Sequence, residues 1–140
     1  MFEDLGGVDV DPMLARLSSV IDDLVGVDLS ARSGPQILAL LQGLEDQVRR
    51  FAVADHRFVA EAERRGLAAE RGCRSTAAML TGLLHIAPHE AAARVSAAAR
   101  LAPRVSFTGE PMPAEYPRTA AAQASGAISA THANLVTRTI

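Results

Sequence analysis

The chain has 140 residues, about one domain in length, and its residues are 49% hydrophobic with 27 alanines but only five aromatic side chains. Because alanine buries little area and is the strongest helix former, this composition predicts an all-α fold held by close helix packing. The lone Cys73 excludes an internal disulfide and a cysteine-based metal cluster, and no apolar run is long enough to span a bilayer.

Charge is distributed unevenly, although the net charge is only −2. Residues 1–46 carry nine acidic residues and two arginines, a net charge of −7, whereas residues 47–140 carry seven acidic residues and twelve arginines, a net charge of +5. All 14 basic residues are arginines. This asymmetry is typical of an acidic arm joined to a basic body, although the acidic end can equally mask the basic one. The chain start lacks a signal-peptide pattern, so we expect a cytoplasmic protein.

The first predicted helix lies in an acidic N-terminal segment, residues 1–32. Asp11 is a suitable N-cap and Pro12 suits the first helical position. Leu14, Leu17, Ile21 and Leu24 then form one apolar stripe at three- and four-residue steps, and the helix ends near Gly26.

A long helix is predicted next. "SGPQ" at 33–36 is a capping box, in which the Ser33 hydroxyl and the Gln36 side chain each bond the other residue's backbone. From Ile37 to Ala62 a 4-3-4-3 spacing continues for about four heptads, which predicts a helix of roughly 30 residues ending near Gly66. We call this row the seam; its candidate oligomer contacts are Leu41, Leu44, Val48, Phe51 and Phe58. Asp55 also occupies a seam position, where it either fixes the register of a coiled coil or faces water.

Two shorter helices complete a predicted helical core domain, residues 33–102. Ser75 caps the first, residues 75–86, and Pro88 lies in the first turn of the second, which Pro103 ends. The short turn between them predicts a helix-turn-helix-like pair. The start of the second helix offers His89, Glu90 and Ala93, none of which pairs bidentately with a purine edge. Two packed helices of a bundle are therefore the preferred interpretation.

The remaining residues are predicted to form a linker and a helical hairpin. Residues 103–118 hold four of the seven prolines and are predicted to be an extended linker. Residues 119–140 return to helix, with a break at Gly126 and a cap at Ser129, and this hairpin looks truncated. The predicted fold class is thus an all-α, elongated helical bundle with one long helix, a helical hairpin and a short helix-turn-helix-like pair.

Arginines are the candidate DNA contacts. Guanidinium groups donate bidentate hydrogen bonds to phosphates and release counterions, which suits the exposed row Arg57, Arg64, Arg65, Arg71 and Arg74. The alternative is a solvated helix face, because Glu61 lies four residues before Arg65 and other glutamates are interleaved. No aromatic residues are interleaved for base stacking.

No catalytic chemistry is indicated. His85 and His89 are four residues apart, but Pro88 and a turn lie between them, so they are not a helical metal pair. His56 and His132 have no cysteine or carboxylate nearby at metal-ligand spacing, and no catalytic triad, Gly-rich phosphate loop or carboxylate pair stands out. We therefore expect no catalytic residues, no metal and no cofactor.

Two segments carry a family resemblance: "AEAERRGLAAERGCRSTAAMLTGLLHIAPHEAAARV" from residue 60 and "FTGEPMPAEYPRTAAAQASGAISATHANLV" from residue 107. Both are similar to domain of unknown function 222, in the actinobacterial 13E12 repeat family, and the similarity runs from about Ser33 to the end. Members of that family often continue into an HNH nuclease module, whose histidines hold a divalent metal. The resemblance implies an association with DNA-processing proteins without the catalytic residues, so this chain is not expected to be an enzyme itself.

Three hypotheses for function follow. The first is a non-catalytic accessory module of an HNH endonuclease-like protein that contacts DNA through arginines. The second is a protein–protein interaction or oligomerisation domain that uses the seam to pair with itself or a sibling chain. The third is a truncated remnant without activity. No membrane partner is expected under any of them.

Overall fold

A computed structural model describes residues 11–139, and the all-α prediction is confirmed there. The acidic stretch before Asp11 lies outside the described residues. The helices, in chain order, are α1 (Pro12–Gly26), α2 (Gly34–Arg64), α3 (Leu67–Glu70), α4 (Thr76–Leu84), α5 (Pro88–Leu101), α6 (Pro117–Ala124) and α7 (Ala130–Thr139). Two short antiparallel strands, β1 (Arg104–Val105) and β2 (Pro111–Met112), lie between α5 and α6.

The described residues divide into two compact units, the first ending at Gln42 and the second beginning at Gly43. Within the first unit the predicted helix caps are confirmed. The Asp11 carboxylate accepts a hydrogen bond from the Met13 amide at 2.8 Å. The Gln36 side-chain oxygen accepts from the Ser33 amide at 2.8 Å, and the Ser33 hydroxyl accepts from the Gln36 amide at 3.3 Å. Helix α1 contains no buried residue. The helical hairpin of the predicted fold class, an antiparallel pairing of the first helix with part of the long helix, stays a prediction.

The long helix α2 has 31 residues, as the capping box and the heptad spacing predict. It ends beside Gly66, whose φ of 65° is a left-handed conformation that glycine adopts without strain. Its buried residues are His56 and Val59, both in the second unit. The rest of the second unit therefore packs against this part of α2.

Helices α4 and α5 form the predicted compact pair. The Ser75 hydroxyl caps α4 by accepting from the Ala78 amide at 3.0 Å. Met79 and Leu80 of α4 and Ala91 of α5 are buried at the core of the second unit. The turn between the helices uses His85 in a left-handed conformation, with φ of 55°.

A second part of the core joins α5 to α7. Ala97 and Leu101 of α5 and Ala133 of α7 form a buried cluster, against which Tyr116, Ala120 and Ile128 pack. Two of its three central residues are alanines, so α5 and α7 must approach closely to bury any area at this contact.

Helix α2 is tied to the turn between α6 and α7. The Arg49 guanidinium donates to the Gly126 carbonyl at 3.0 Å. Gly126 has φ of 80°, and a Cβ at this position would lie 3.2 Å from the Asp46 carbonyl oxygen. Because both the backbone conformation and the close approach favour glycine, the break predicted at Gly126 is also a packing contact.

Residues 103–118 fold back rather than only extend. The Ser106 amide donates to the Glu110 carbonyl at 2.9 Å across the tip of the β1–β2 hairpin. The Tyr116 amide then donates to the Arg100 carbonyl at 3.1 Å, and Ala114 is buried. The proline content does not predict that this segment folds back, because the hydrogen bond that fixes its end is made to Arg100 of α5.

Candidate interaction surface

Five large apolar residues of the α2 seam are exposed, with 48% to 68% of their surface accessible: Leu41, Leu44, Val48, Phe51 and Phe58. The seam residues Ile37, Asp55 and Ala62 are half-buried. Of the five exposed residues, all but Leu41 belong to the second unit. Soluble monomers rarely expose contiguous large apolar side chains, and such patches mark contacts with other molecules. The seam is therefore the first candidate site.

The flank of the seam is covered while its centre is open. His56 and Val59, the buried residues of α2, each follow a seam position by one residue. A helix turns by about 100° per residue, so the buried flank and the exposed seam are neighbouring faces. The bundle of the second unit therefore packs beside the seam and leaves the seam itself accessible.

Asp55 interrupts the seam with a charge that has a partner. Its carboxylate lies 3.5 Å from the Arg94 guanidinium of α5, and the two side chains are 33% and 35% exposed. Arg94 also donates to the Glu90 carboxylate at 3.0 Å, within α5. Asp55 is therefore not a lone charge in water. It forms an ion pair with Arg94 of the neighbouring helix α5.

A cleft opens beside Asp55, between α2, α5 and α7 of the second unit. It has a volume of about 410 Å³. Its apolar lining consists of Phe51 and four alanines, and its polar lining consists of Asp55, His56, Glu90, Arg94 and Asn134. We call it the α2–α5–α7 cleft. Since Phe51 and Asp55 are also seam residues, the cleft and the seam form one continuous surface.

The His56 imidazole is 5% exposed and lines this cleft, and no hydrogen bond to it is found within residues 11–139. Burial lowers the pKa of His56, and the nearby Asp55 carboxylate opposes that effect in part. The imidazole is therefore neutral near pH 7, with one nitrogen able to donate and the other to accept a hydrogen bond.

The pH dependence of stability follows from this lowered pKa. The unfolded chain protonates His56 near pH 6.5, whereas the folded chain resists protonation until lower pH. The free energy of unfolding is therefore highest above about pH 6.5. It decreases as the pH falls towards the pKa of His56 in the folded chain. We expect the melting temperature to drop between pH 7.5 and pH 5.5, and His56→Gln to weaken that drop.

His132→Gln is the matched control, because His132 is exposed on α7. Asp28 and Glu61 do not interfere, because their lowered pKa values place their titrations below this window. An unchanged pH dependence in His56→Gln would show that burial of His56 has no part in it. Circular dichroism melts of the three proteins at both pH values decide the matter.

The five candidate DNA-contact arginines all lie on the surface. Arg57, Arg64 and Arg65 are on α2, and Arg71 and Arg74 lie on either side of the turn at Gly72. Arg64 and Arg65 both bond the Glu61 carboxylate, Arg65 at 2.8 Å. These bonds lower the pKa of Glu61 to about 2. Such exposed pairs contribute little to stability and can exchange for other anions.

Several cleft residues were not predicted from the sequence as a site. Neither Arg94 nor Asn134 stands out in the sequence as a site residue. The four-residue step from Glu90 to Arg94 does predict their ion pair. Nothing local predicts that Arg94 also reaches Asp55, because that contact depends on how α5 packs on α2.

Within residues 11–139, no three His, Cys, Asp or Glu side chains are grouped so that they could hold a metal ion. None of the helices in that range combines the length and the apolar character that crossing a lipid bilayer requires.

Comparison with known proteins identifies the family. The profile of the family described as Domain of unknown function (DUF222) matches residues 38–140. The chain is 37% identical over 123 residues to the uncharacterized protein Mb1179c of Mycobacterium bovis and to the uncharacterized protein Rv1945 of Mycobacterium tuberculosis. Each alignment covers 88% of this chain and 26% of the relative. The uncharacterized protein MT3572 of Mycobacterium tuberculosis is 32% identical over 120 residues, which are 86% of this chain and 54% of that protein.

The chain thus spans about a quarter of the length of the first two relatives. No solved structure shows significant similarity to it. The profile match covers most of the chain, including α2 from Leu38 onward and every later element described above. The chain therefore belongs to the DUF222 family.

Proposed function

We propose that this chain is a protein-interaction module whose α2 seam docks a helix of another chain. The observation that carries the proposal is the exposure of Leu44, Val48, Phe51 and Phe58 in heptad spacing on one long helix. A heptad row accepts side chains of a second helix between its own, and burial of each large apolar side chain contributes about 1.5 to 3 kcal/mol. Binding alone accounts for this surface, so the proposal assigns no catalytic step to these residues.

Phe51→Glu tests the seam. A buried carboxylate at the centre of a helix pair lacks both water and a partner, so we expect association to weaken at least about tenfold. Self-association is measured by sedimentation equilibrium, and docking by titration with a helical peptide that carries leucine at each heptad seam position. Phe107→Glu is the matched control, because Phe107 is fully exposed on the β1–β2 hairpin, away from α2.

The two readouts separate the possible outcomes. Self-association or peptide binding that Phe51→Glu removes and Phe107→Glu leaves intact supports docking on the seam. A chain that stays monomeric at high concentration and binds no heptad peptide has no docking function on α2. Equal losses in the two variants would place the contact elsewhere.

Phosphate contact by the arginine row is the second candidate function, in an accessory module of a DNA-processing, HNH-type protein. The net charge of +5 over residues 47–140 favours it. Arg57 and Arg74 favour it too, because they are exposed and form no ion pair within the described residues. Guanidinium groups in this setting can exchange weak surface contacts for phosphate oxygens.

Neutralising four arginines together tests this second candidate. Anisotropy of a labelled duplex is measured against salt for the wild type and for the quadruple Arg→Gln variant at residues 64, 65, 71 and 74. Each lost phosphate contact reduces the salt slope by about 0.9, so we expect a change of up to about 3.6 and weaker binding. Arg→Gln at residues 16, 32, 118 and 138 gives the same charge change as a control. Unchanged DNA affinity in the first variant would exclude the arginine row as the contact.

A further inference from the structure

The α2–α5–α7 cleft has an excess of negative charge. Asp55 and Glu90 supply two carboxylates, Arg94 supplies one guanidinium, and the buried His56 is neutral. The lining therefore carries a net charge of −1. The ion pairs of Arg94 involve Oδ1 of Asp55 and Oε1 of Glu90. Each carboxylate has further acceptor capacity, so an incoming donor can bond it in place of water.

The remaining lining suits a long side chain with a cationic head. Ala52, Ala93, Ala97 and Ala130 give a smooth apolar wall, along which an alkyl stem can lie. The His56 imidazole and the Asn134 amide add polar atoms beside the carboxylates. His56 is 5% exposed and has no hydrogen-bond partner within the described residues, so a donor or acceptor entering the cleft would give it one.

The position of the cleft connects it to the seam. Phe51 and Asp55 belong to both surfaces and lie four residues apart on α2. A helix docked against Leu44, Val48 and Phe51 would continue past the mouth of the cleft. One side chain of that helix would then face Asp55.

A second copy of this chain does not supply that side chain in the simplest arrangement. Parallel, in-register pairing of two seams would place Asp55 opposite Asp55, and like charges at such a position oppose association. A helix with a basic residue at the same heptad position would match Asp55 instead. Charge complementarity therefore favours a different helix over an identical one.

We propose that the α2–α5–α7 cleft receives one arginine or lysine side chain from a partner helix docked on the α2 seam. The inference rests on the proposed function and adds the chemistry of the partner: apolar residues at heptad spacing and one basic residue at the seam position facing Asp55. Contacts to Asp55 and Glu90 give the interface its register, while the apolar seam supplies most of the buried area.

A set of five helical peptides tests the inference with the full chain. All carry leucine at the heptad positions, and the central seam position is Arg, Lys, Gln, Glu or Leu. Titrations at physiological salt measure the dissociation constant of each peptide. We expect the Arg and Lys peptides to bind about tenfold more tightly than the Gln peptide, and the Glu peptide to bind most weakly.

Two substitutions in the cleft give opposite expected results. Asp55→Asn removes one negative charge and should weaken Arg-peptide binding about threefold to tenfold. Arg94→Gln removes the competing guanidinium and should tighten it about twofold to fivefold. Both variants lose the Asp55–Arg94 ion pair, so a merely structural role of that pair would shift binding in the same direction in both. Circular dichroism melts confirm that each variant is folded.

The outcomes distinguish this inference from the function on which it rests. Tight binding of all five peptides without preference for a basic residue, abolished by Phe51→Glu, would overturn the cleft inference and keep the seam. Parallel shifts in Asp55→Asn and Arg94→Gln would also overturn it. Absence of binding by every peptide would overturn the docking function itself. A preference for the Arg and Lys peptides that decreases in Asp55→Asn and increases in Arg94→Gln supports both the cleft inference and the docking function.

Discussion

Replacing Leu101 with alanine is expected to lower the free energy of unfolding of the second unit by about 2 to 5 kcal/mol. Leu101 is 4% exposed and forms the buried cluster with Ala97 and Ala133. The buried hydrophobic residues found in residues 11–139 are mostly alanines, and the larger ones are Val59, Met79, Leu80 and Leu101. A core with so few large side chains has little to move into the cavity that Leu101 would leave.

Tyrosine fluorescence gives a local measurement of this effect. Tyr116 is the only tyrosine, the chain has no tryptophan, and Tyr116 packs against the Leu101 cluster. Urea unfolding followed at Tyr116 therefore reports on this core and not on α1. Leu84→Ala is the control, because Leu84 is 42% exposed at the end of α4. A loss below about 1 kcal/mol in Leu101→Ala would mean that the core is not organised around this residue.

Local chemistry explains which elements the sequence alone could predict. The caps at Asp11, Ser33 and Ser75 form between residues two or three positions apart, so their motifs are complete in the sequence. The 31-residue length of α2 follows from an unbroken heptad spacing between a capping box and a glycine. These predictions needed no knowledge of packing.

Long-range packing explains what could not be predicted. Residues 103–118 fold back towards α5, where the Tyr116 amide donates to the Arg100 carbonyl. The four prolines of this segment predict an extended linker and give no sign of that contact. Asp55 was recognisable as a misfit in an apolar row. Its partner Arg94 was not, because the pair forms only once α5 lies against α2. The cleft therefore could not be predicted from the sequence, because it forms only in the tertiary structure. The seam beside it could be predicted, because the heptad spacing of its residues is visible in the sequence.

The short side chains in the core also determine how the cleft is held open. Ala130 and Asn134 line it from α7, and Ala93 and Ala97 line it from α5. Ala97 also belongs to the buried cluster with Ala133. The distance between α5 and α7 that buries these alanines therefore also sets the width of the cleft. A substitution that moves the two helices apart is expected to widen the cleft.

Ala133→Leu is expected to destabilise the second unit by about 1 to 3 kcal/mol, because an added branched side chain has no space between α5 and α7. Ala133 is 0% exposed and contacts Ala97 and Leu101. Ala99→Leu on α5 is the matched control, since Ala99 is exposed and leucine is nearly as good a helix former. Unfolding followed at Tyr116 should show a loss in the first variant and almost none in the second.

The same substitution also tests the link between core and cleft. If α7 moves outward to admit the leucine, Asn134 moves with it, and the wall shared by α5 and α7 widens. Binding of a basic-centred heptad peptide should then weaken in Ala133→Leu, at a temperature where the variant is still folded, and stay unchanged in Ala99→Leu. Unaltered stability in Ala133→Leu would mean that α7 is not seated against α5 as closely as the buried alanines require. If Ala133→Leu loses stability but binds the peptide as the wild type does, the shape of the cleft depends on α2 and α5 and not on the position of α7.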